Sequence, residues 1–322
     1  MELVAADIGG SHARFALANV EGGRVTSLSD AITLKTVEHA SLQTAWEAFS
    51  EQLGRPLPRA AAIAVACPVV GDMLKLTNNP WIIRPAMIAE RLGVDRVTLI
   101  NDFGAVGHAV VRVGQEHLGH VCGPDVPLPG RGVISIVGPG SGLGVAHVLC
   151  RDDRHHVIEC EGGHIDYAPV DGIEDVILAR LRQRYRRVSI ERVISGPGLA
   201  NIYESLATIE GRAVQTGDDK ALWTAALSGA DNLAVAALDR FCLILGSVAG
   251  NIALAHGANA VVIAGGLGAR IAHMLPRSGF SGRFTAKGRF ERMMSAIPVK
   301  VITHPQPGLF GAAAAFAEEH GR

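Results

Sequence analysis

Short apolar runs alternate with glycine-rich turns along this chain, and one such device occurs twice. Leu3-Val4-Ala5-Ala6-Asp7-Ile8 enters the turn Gly9-Gly10-Ser11-His12, and Ala13-Arg14-Phe15-Ala16-Leu17 leaves it. Val133-Ile134-Ser135-Ile136-Val137 enters Gly138-Pro139-Gly140-Ser141-Gly142, and Leu143-Gly144-Val145-Ala146 leaves that turn. Each reads strand–turn–strand, whereas the common nucleotide loops open a helix. Further along, the pattern predicts a strand near 30–35 and a helix capped by Ser41, with Trp46, Phe49 and Leu53 at helical spacing. A β run over 60–66, a helix from Pro85 to Leu92 and a strand over 97–100 follow, the last ending at Asn101-Asp102. Residues 104–110 are small and apolar and predict a helix.

Beyond the second turn, a strand over 157–160 ends at Glu161-Gly162-Gly163-His164. Helices are predicted over 173–185 and 189–194, and Asp231 opens a long one to about Ala255. Gly246 and Gly250 lie four apart within it, a smooth stripe that lets another backbone approach at a propensity cost of about 1 kcal/mol each. A strand over 260–264 turns through Gly265-Gly266-Leu267-Gly268 toward a helix. A last strand over 299–302 and a terminal helix over 308–319 complete the pattern.

Composition narrows the class. At 322 residues two domains are expected, and 48% hydrophobic against 19% charged residues permits a large core. The net charge of −1, with acids and bases interspersed, excludes a basic nucleic-acid face. The 38 glycines gather at turns beside strands, which favours close backbone approach to a ligand over flexible linkers. The five cysteines are scattered without metal spacing and suit a reducing compartment. Glu2 and the absence of a basic flank predict no secretory leader. The run 60–70 is about half a membrane span and holds Pro68. A soluble cytoplasmic protein with no membrane or nucleic-acid partner is expected.

Two glycine hairpins with exposed N–H groups can hold a polyphosphate between them, so the repeat points to a two-lobed ATP-dependent enzyme. Asp7, at a strand end before Gly9-Gly10, can face the mouth of the turn and hold hydrated Mg²⁺ against the phosphates. Ser11 adds a hydroxyl. Read alone, this loop also fits an ordinary hairpin. The alternation of Gly138, Gly140, Gly142 and Gly144 exceeds what an ordinary hairpin requires. Gly265-Gly266 could admit an adenine ring or serve as a plain strand-to-helix turn. Asp102, on a rigid strand end, is a candidate general base for an alcohol, or Asn101-Asp102 caps the next helix. Glu161 and His164 can grip a polyol by charge-assisted hydrogen bonds; with Asp166 they could instead hold a metal, or the turn could be purely structural. Glu191 alone reads as a solvated helix residue.

Taken together, Asp7-Ile8-Gly9-Gly10-Ser11-His12-Ala13-Arg14, Leu76-Thr77-Asn78-Asn79, Ile100-Asn101-Asp102-Phe103, the 138–144 loop, Glu161-Gly162-Gly163-His164-Ile165-Asp166, Glu191-Arg192-Val193-Ile194-Ser195-Gly196-Pro197-Gly198-Leu199 and Pro307-Gly308-Leu309-Phe310-Gly311 resemble the bacterial glucokinases, nearly end to end. The resemblance implies an α/β, actin-like (ribonuclease H-like) ATPase fold. It has two lobes, each on a five-stranded sheet, with an interlobe cleft. Residues 1–108 and 303–322 would form the small lobe and 109–302 the large one. It implies ATP and Mg²⁺, D-glucose as acceptor, and a homodimer. Asp102 would be the base on the 6-hydroxyl, with Asn101, Glu161, His164 and Glu191 on other sugar hydroxyls. Ala6, Asp7, Ile8, Gly9, Gly10, Ser11, Gly138, Gly140, Ser141 and Gly142 would hold MgATP, with Gly265 and Gly266 near adenosine. Ser11-His12 stands where many relatives have Thr-Asn, so His12 is assigned no role. The cysteine-rich zinc motif of the related repressor and kinase group is absent. Rival expectations are a kinase for another hexose or an N-acyl-hexosamine on the same fold, a sugar-sensing regulator, and a filament-type or chaperone-type ATPase. The first hairpin starting at Leu3 leaves no room for the regulator's DNA-binding helices, and Asn101-Asp102 with Glu161, His164 and Glu191 argues against the sugar-independent ATPase.

Overall fold

The computed structural model describes residues 1–76, 79–152, 154–213 and 218–321. The chain divides into two units: Met1–Gly114 with Val157–Glu159 and His304–Arg322, and Gln115–His156 with Cys160–Thr303.

In the first unit, β1 (Glu2–Ile8) pairs antiparallel with β2 (His12–Glu21). Two strands share the outer edge of β2. β3 (Arg24–Leu28) pairs with its far half, and β4 (Ile32–Lys35) pairs with the half beside the glycine turn. Helix α1 (Leu42–Leu53) begins at a reciprocal cap, in which Ser41 Oγ accepts from Thr44 N and Thr44 Oγ1 accepts from Ser41 N. β5 (Ala60–Val65) lies parallel to β1. A small hairpin follows, β6 (Leu74–Lys75) with β7 (Ile82–Ile83), then the one-turn α2 (Ile88–Leu92). β8 (Arg96–Asn101) runs parallel to β5, and α3 (Asp102–Val110) starts where it ends.

Every residue of β5 is buried, because both faces of the sheet are covered. The strand period of two sorts them. Ala61, Ile63 and Val65 join Val4, Ala6 and Ile8 against Trp46 and Phe49 of α1, where Phe15 stacks on Phe49 at 5.2 Å. Ala60, Ala62 and Ala64 join Leu3 and Ala5 against the C-terminal helix Pro307–His320, through Leu309, Ala312, Ala313 and Phe316. Alanines on this second face let the helix lie close to the sheet. Gly311 lets it lie close to α3 as well, since a Cβ there would overlap the Ala105 carbonyl.

In the second unit, β9 (Leu118–Cys122) is followed by the hairpin β10 (Gly132–Pro139) and β11 (Leu143–Arg151), then β12 (Arg154–Cys160), of which Val157–Glu159 are grouped with the first unit. Helices α4 (Gly172–Arg184), α5 (Gly196–Ile209), α6 (Asp219–Ser228) and α7 (Asn232–His256) come next. β13 (Ala258–Ile263), α8 (Gly265–Arg270), α9 (Phe280–Thr285), α10 (Glu291–Ser295) and β14 (Val299–Ile302) finish the unit. The sheet order is β12-β11-β10-β13-β14-β9. Its middle repeats the first unit: a hairpin whose first strand is followed by two parallel neighbours. α7 is long and apolar enough to cross a membrane by composition, but most of it is core, with Leu238, Phe241 and Leu245 packed in the main cluster. Its two glycines do admit a neighbour: Gly246 faces the Phe280 carbonyl, and a Cβ on Gly250 would come 2.5 Å from the Phe284 carbonyl of α9.

Two sequence expectations are corrected. Each large sheet has six strands, not five. In the first unit this is because β3 and β4 split one long partner. In the second, β9 adds an antiparallel edge to β14. The helix expected over 189–194 is a single 3₁₀ turn, Ile190–Arg192. The chain is extended at Ser195, whose side chain accepts from Gly198 N and restarts helix as α5.

His147 of β11 is buried and stacks on His256, at the end of α7, with centroids 3.9 Å apart. Its Nδ1 lies 3.0 Å from Ser135 Oγ. Burial, reinforced by His256, pushes the His147 pKa from 6.5 to about 4. The unfolded chain therefore binds a proton between these values that the folded chain refuses, so stability is complete above 6.5 and drains as pH falls toward 4. Chemical denaturation across this range should show a loss of roughly 3 kcal/mol at most from this group, and His147→Gln should flatten the dependence.

Candidate active site

In the first unit the β1–β2 turn is closed by Gly9 N donating to His12 O at 2.9 Å. The Gly9 N–H expected to face a phosphate is thus spent on the hairpin. The carbonyls of the turn are also engaged. Asn79 Nδ2 donates to Gly9 O at 3.2 Å, Thr36 Oγ1 to Gly10 O at 2.8 Å, and Thr36 N to Ser11 O at 3.1 Å. With the carbonyls pinned, the N–H groups of Gly10 and Ser11 find no acceptor among the described residues. Such N–H groups are the kind of donor that can receive an anion. Thr77 and Asn78, part of the motif read with Asn79, lie outside the described residues. Ala6 and Ile8, grouped with this loop in the sequence, bury their side chains in the core and shape the strand end instead.

Asp7 sits at that strand end opposite Arg14, whose Nη1 lies 3.3 Å from Asp7 Oδ2. The Asp7 side chain is 20% exposed. Burial raises its carboxyl pKa, while the Arg14 charge and hydrogen bond pull it back. Gly308, at the start of the C-terminal helix, stands over the carboxylate: a Cβ there would come 2.9 Å from Asp7 Oδ2. A single carboxylate of this kind fits hydrated Mg²⁺, which keeps several waters and takes few protein ligands.

Asn101 caps α3, its Oδ1 accepting from Phe103 N at 2.8 Å and Gly104 N at 3.1 Å. Its Nδ2 donates to Cys67 O at 3.2 Å, and its own N–H to Glu159 Oε1 at 3.0 Å. The amide and the carboxylate at this strand end differ in placement. Asn101 makes the cap, and Asp102 presents a carboxylate from the first turn of α3, where the helix dipole favours negative charge. Asp102 Oδ1 also accepts from Phe103 N at 2.9 Å. Glu159 gave no signal in the sequence, and its carboxylate fills the space that Gly104 leaves.

In the second unit the β10–β11 turn is closed by Gly140 N donating to Gly142 O at 2.8 Å. Gly196 N, at the start of α5, donates to Gly140 O at 2.8 Å. Ser141 and Gly142 keep N–H groups without an acceptor among the described residues. Gly138 lies within the β10 ladder opposite Gly144. Gly265 has φ 75° and packs directly on the Pro139 carbonyl, so its missing side chain is filled by backbone and not by a ring. Gly266 has open space at its Cβ position, and it is the half of this pair that can face a ligand.

Glu161, Gly162, Gly163 and His164 form a turn held by His164 N donating to Glu161 O at 3.0 Å. Both glycines are packing requirements. A Cβ on Gly162 would press on Val145, and one on Gly163 would overlap the Leu143 carbonyl. The turn thus lies against the strand leaving the 138–144 loop. His164 Nε2 and Glu161 Oε2 are 3.9 Å apart and well exposed. Asp166 accepts from Arg187 Nε at 2.6 Å, the same guanidinium donates to His164 O at 2.7 Å, and no three-ligand metal cluster occurs among the described residues. Glu191 is not a plain solvated residue: its Oε2 accepts from Leu143 N at 3.0 Å.

The sequence profile of the family described as Glucokinase matches residues 4–319. A glucokinase of Zymomonas mobilis is 65% identical over 320 residues, covering 99% of each chain. The crystal structure of a glucokinase from an Antarctic psychrotroph superposes with a TM-score of 0.83 at 30% identity, covering 98% of each chain. A ROK family glucokinase from Streptomyces griseus, in complex with glucose and AMPPNP, shares the fold with a TM-score of 0.64 at 18% identity, covering 98% of this chain and 99% of that one.

Asp7 costs stability in its ionised form, because its folded pKa lies above the ordinary 3.8. Asp7→Asn should therefore raise the melting midpoint at pH 7, and the gain should shrink as pH falls toward 3.8. Calorimetry at several pH values checks this.

Proposed function

The chain belongs to the glucokinase family, and from that membership we infer that it transfers the γ-phosphoryl group of ATP to the 6-hydroxyl of D-glucose. The products are glucose 6-phosphate and ADP, and the reaction is the first step of glucose catabolism. Phosphoryl transfer asks little covalent chemistry of a protein. It needs positioning, charge neutralisation and one carboxylate to take the hydroxyl proton.

The observation that carries the assignment of roles is the division of labour at the end of β8: Asn101 makes the helix cap and Asp102 presents the carboxylate. Asp102 is the base on the 6-hydroxyl. Asn101 Nδ2 gives one proton to Cys67 O and retains a second for a sugar hydroxyl. Glu161, His164 and Glu191 hold the remaining hydroxyls, where charge-assisted bonds fix the ring. The N–H groups of Gly10, Ser11, Ser141 and Gly142 receive phosphate oxygens, and Gly266 borders the adenosine. Mg²⁺, held through water by Asp7, would neutralise phosphate charge. The family resemblance and five free cysteines support a homodimer in the cytoplasm.

Asp102→Ala should lower kcat by about 10²- to 10⁴-fold while calorimetry still detects glucose binding. Turnover is read by coupled ADP detection over a panel of hexoses and phosphoryl donors. A variant keeping most of its kcat would remove Asp102 from the role of base, and preference for another hexose would change the acceptor.

A further inference from the structure

The main-chain groups of Leu143 join two sets of residues that the roles above keep apart. Leu143 is the first residue after the phosphate turn, paired with Pro139 across the hairpin. Its N–H donates to Glu191 Oε2 at 3.0 Å. Its carbonyl lies under Gly163, between Glu161 and His164 of the sugar turn. The neighbouring Gly142 faces Glu191 Oε2 so closely that a Cβ there would overlap it. On the other side, Gly140 is tied to Gly196, five residues after Glu191. The loop is therefore braced at Gly140 by the start of α5 and at Leu143 by the Glu191 carboxylate. No other side chain among the described residues hydrogen-bonds the 140–143 main chain.

We propose that Glu191 is a positioning residue for the nucleotide: one carboxylate oxygen fixes the phosphate loop through Leu143 N–H, while the other serves the sugar. This rests on the kinase reading above and deepens it. A residue acting on the sugar alone leaves nucleotide affinity unchanged when no sugar is present. A residue that orders the loop affects it even then. Without the brace, the Ser141 and Gly142 N–H groups must be ordered by the nucleotide itself, and affinity falls by the cost of that ordering.

Charge must be separated from bonding, because a carboxylate near phosphates also repels them. Glu191→Ala and Glu191→Gln both remove the charge, but only Gln keeps an acceptor for Leu143 N–H. The experiment is calorimetric titration of each full-length protein with magnesium AMPPNP in the absence of sugar, with melting midpoints confirming that both variants fold. The expected result is Ala binding about fivefold or more weakly than Gln, with Gln close to wild type or tighter. Equal affinities for Ala and Gln would overturn the proposal. If the glucose KM nevertheless rose in both, Glu191 would act on the sugar alone and the kinase reading would stand. Glucose turnover of the wild-type protein is measured alongside, and its absence would remove that reading and the proposal with it.

Discussion

Close approach of main chain to main chain is the constraint on which both candidate centres rest. The turn Glu161–His164 reaches the second hairpin because Gly163 has no Cβ to meet the Leu143 carbonyl. The turn after β13 reaches the same hairpin because Gly265 does so at Pro139. The C-terminal helix reaches α3 at Gly311 and reaches Asp7 at Gly308. In each case a single methyl group would push apart elements whose separation sets where donors and carboxylates stand. Interiors are packed too densely to absorb such a shift locally. Glycine is thus used mainly as missing volume, and only at positions such as Gly265 as backbone freedom as well.

The two units solve one problem with one plan. A hairpin turn has its carbonyls or termini pinned by outside donors, Thr36 and Asn79 in one unit and Gly196 in the other. That pinning leaves N–H groups to face an anion. Two carboxylates are mounted on rigid ends: Asp7 on a strand, Asp102 on the first turn of a helix. Such mounts hold geometry better than free loops do.

Much of this was legible in the sequence because its signals are local. Ser41 announced α1 through the spacing of Trp46 and Phe49, and the two hairpins were visible as alternating apolar runs broken by glycine. The stripe made by Gly246 and Gly250 foretold a close neighbour, though not that α9 would fill it. What stayed hidden depends on contacts distant in sequence. The Gly9 N–H looks available until His12 is seen to take it. Asn101-Asp102 reads equally as cap or base, and only the structure shows that Asn101 Oδ1 takes two N–H groups of the next helix. Glu191 looks like any surface acid, since its partner is a backbone N–H 48 positions away. Ser195 ends one turn and starts a helix, a break that apolar periodicity over 189–194 does not reveal.

The C-terminal helix carries a consequence for biosynthesis. It supplies five of the fourteen buried residues of one core cluster of the first unit, and Thr98 on β8 is bonded to Glu319 at 2.6 Å. On the ribosome, β1 is made first but cannot acquire that layer until Pro307–His320 has left the exit tunnel. The second unit, contiguous apart from three residues, has all of its strands by then. Vectorial synthesis therefore leaves the alanine face of the early sheet uncovered until that late helix emerges.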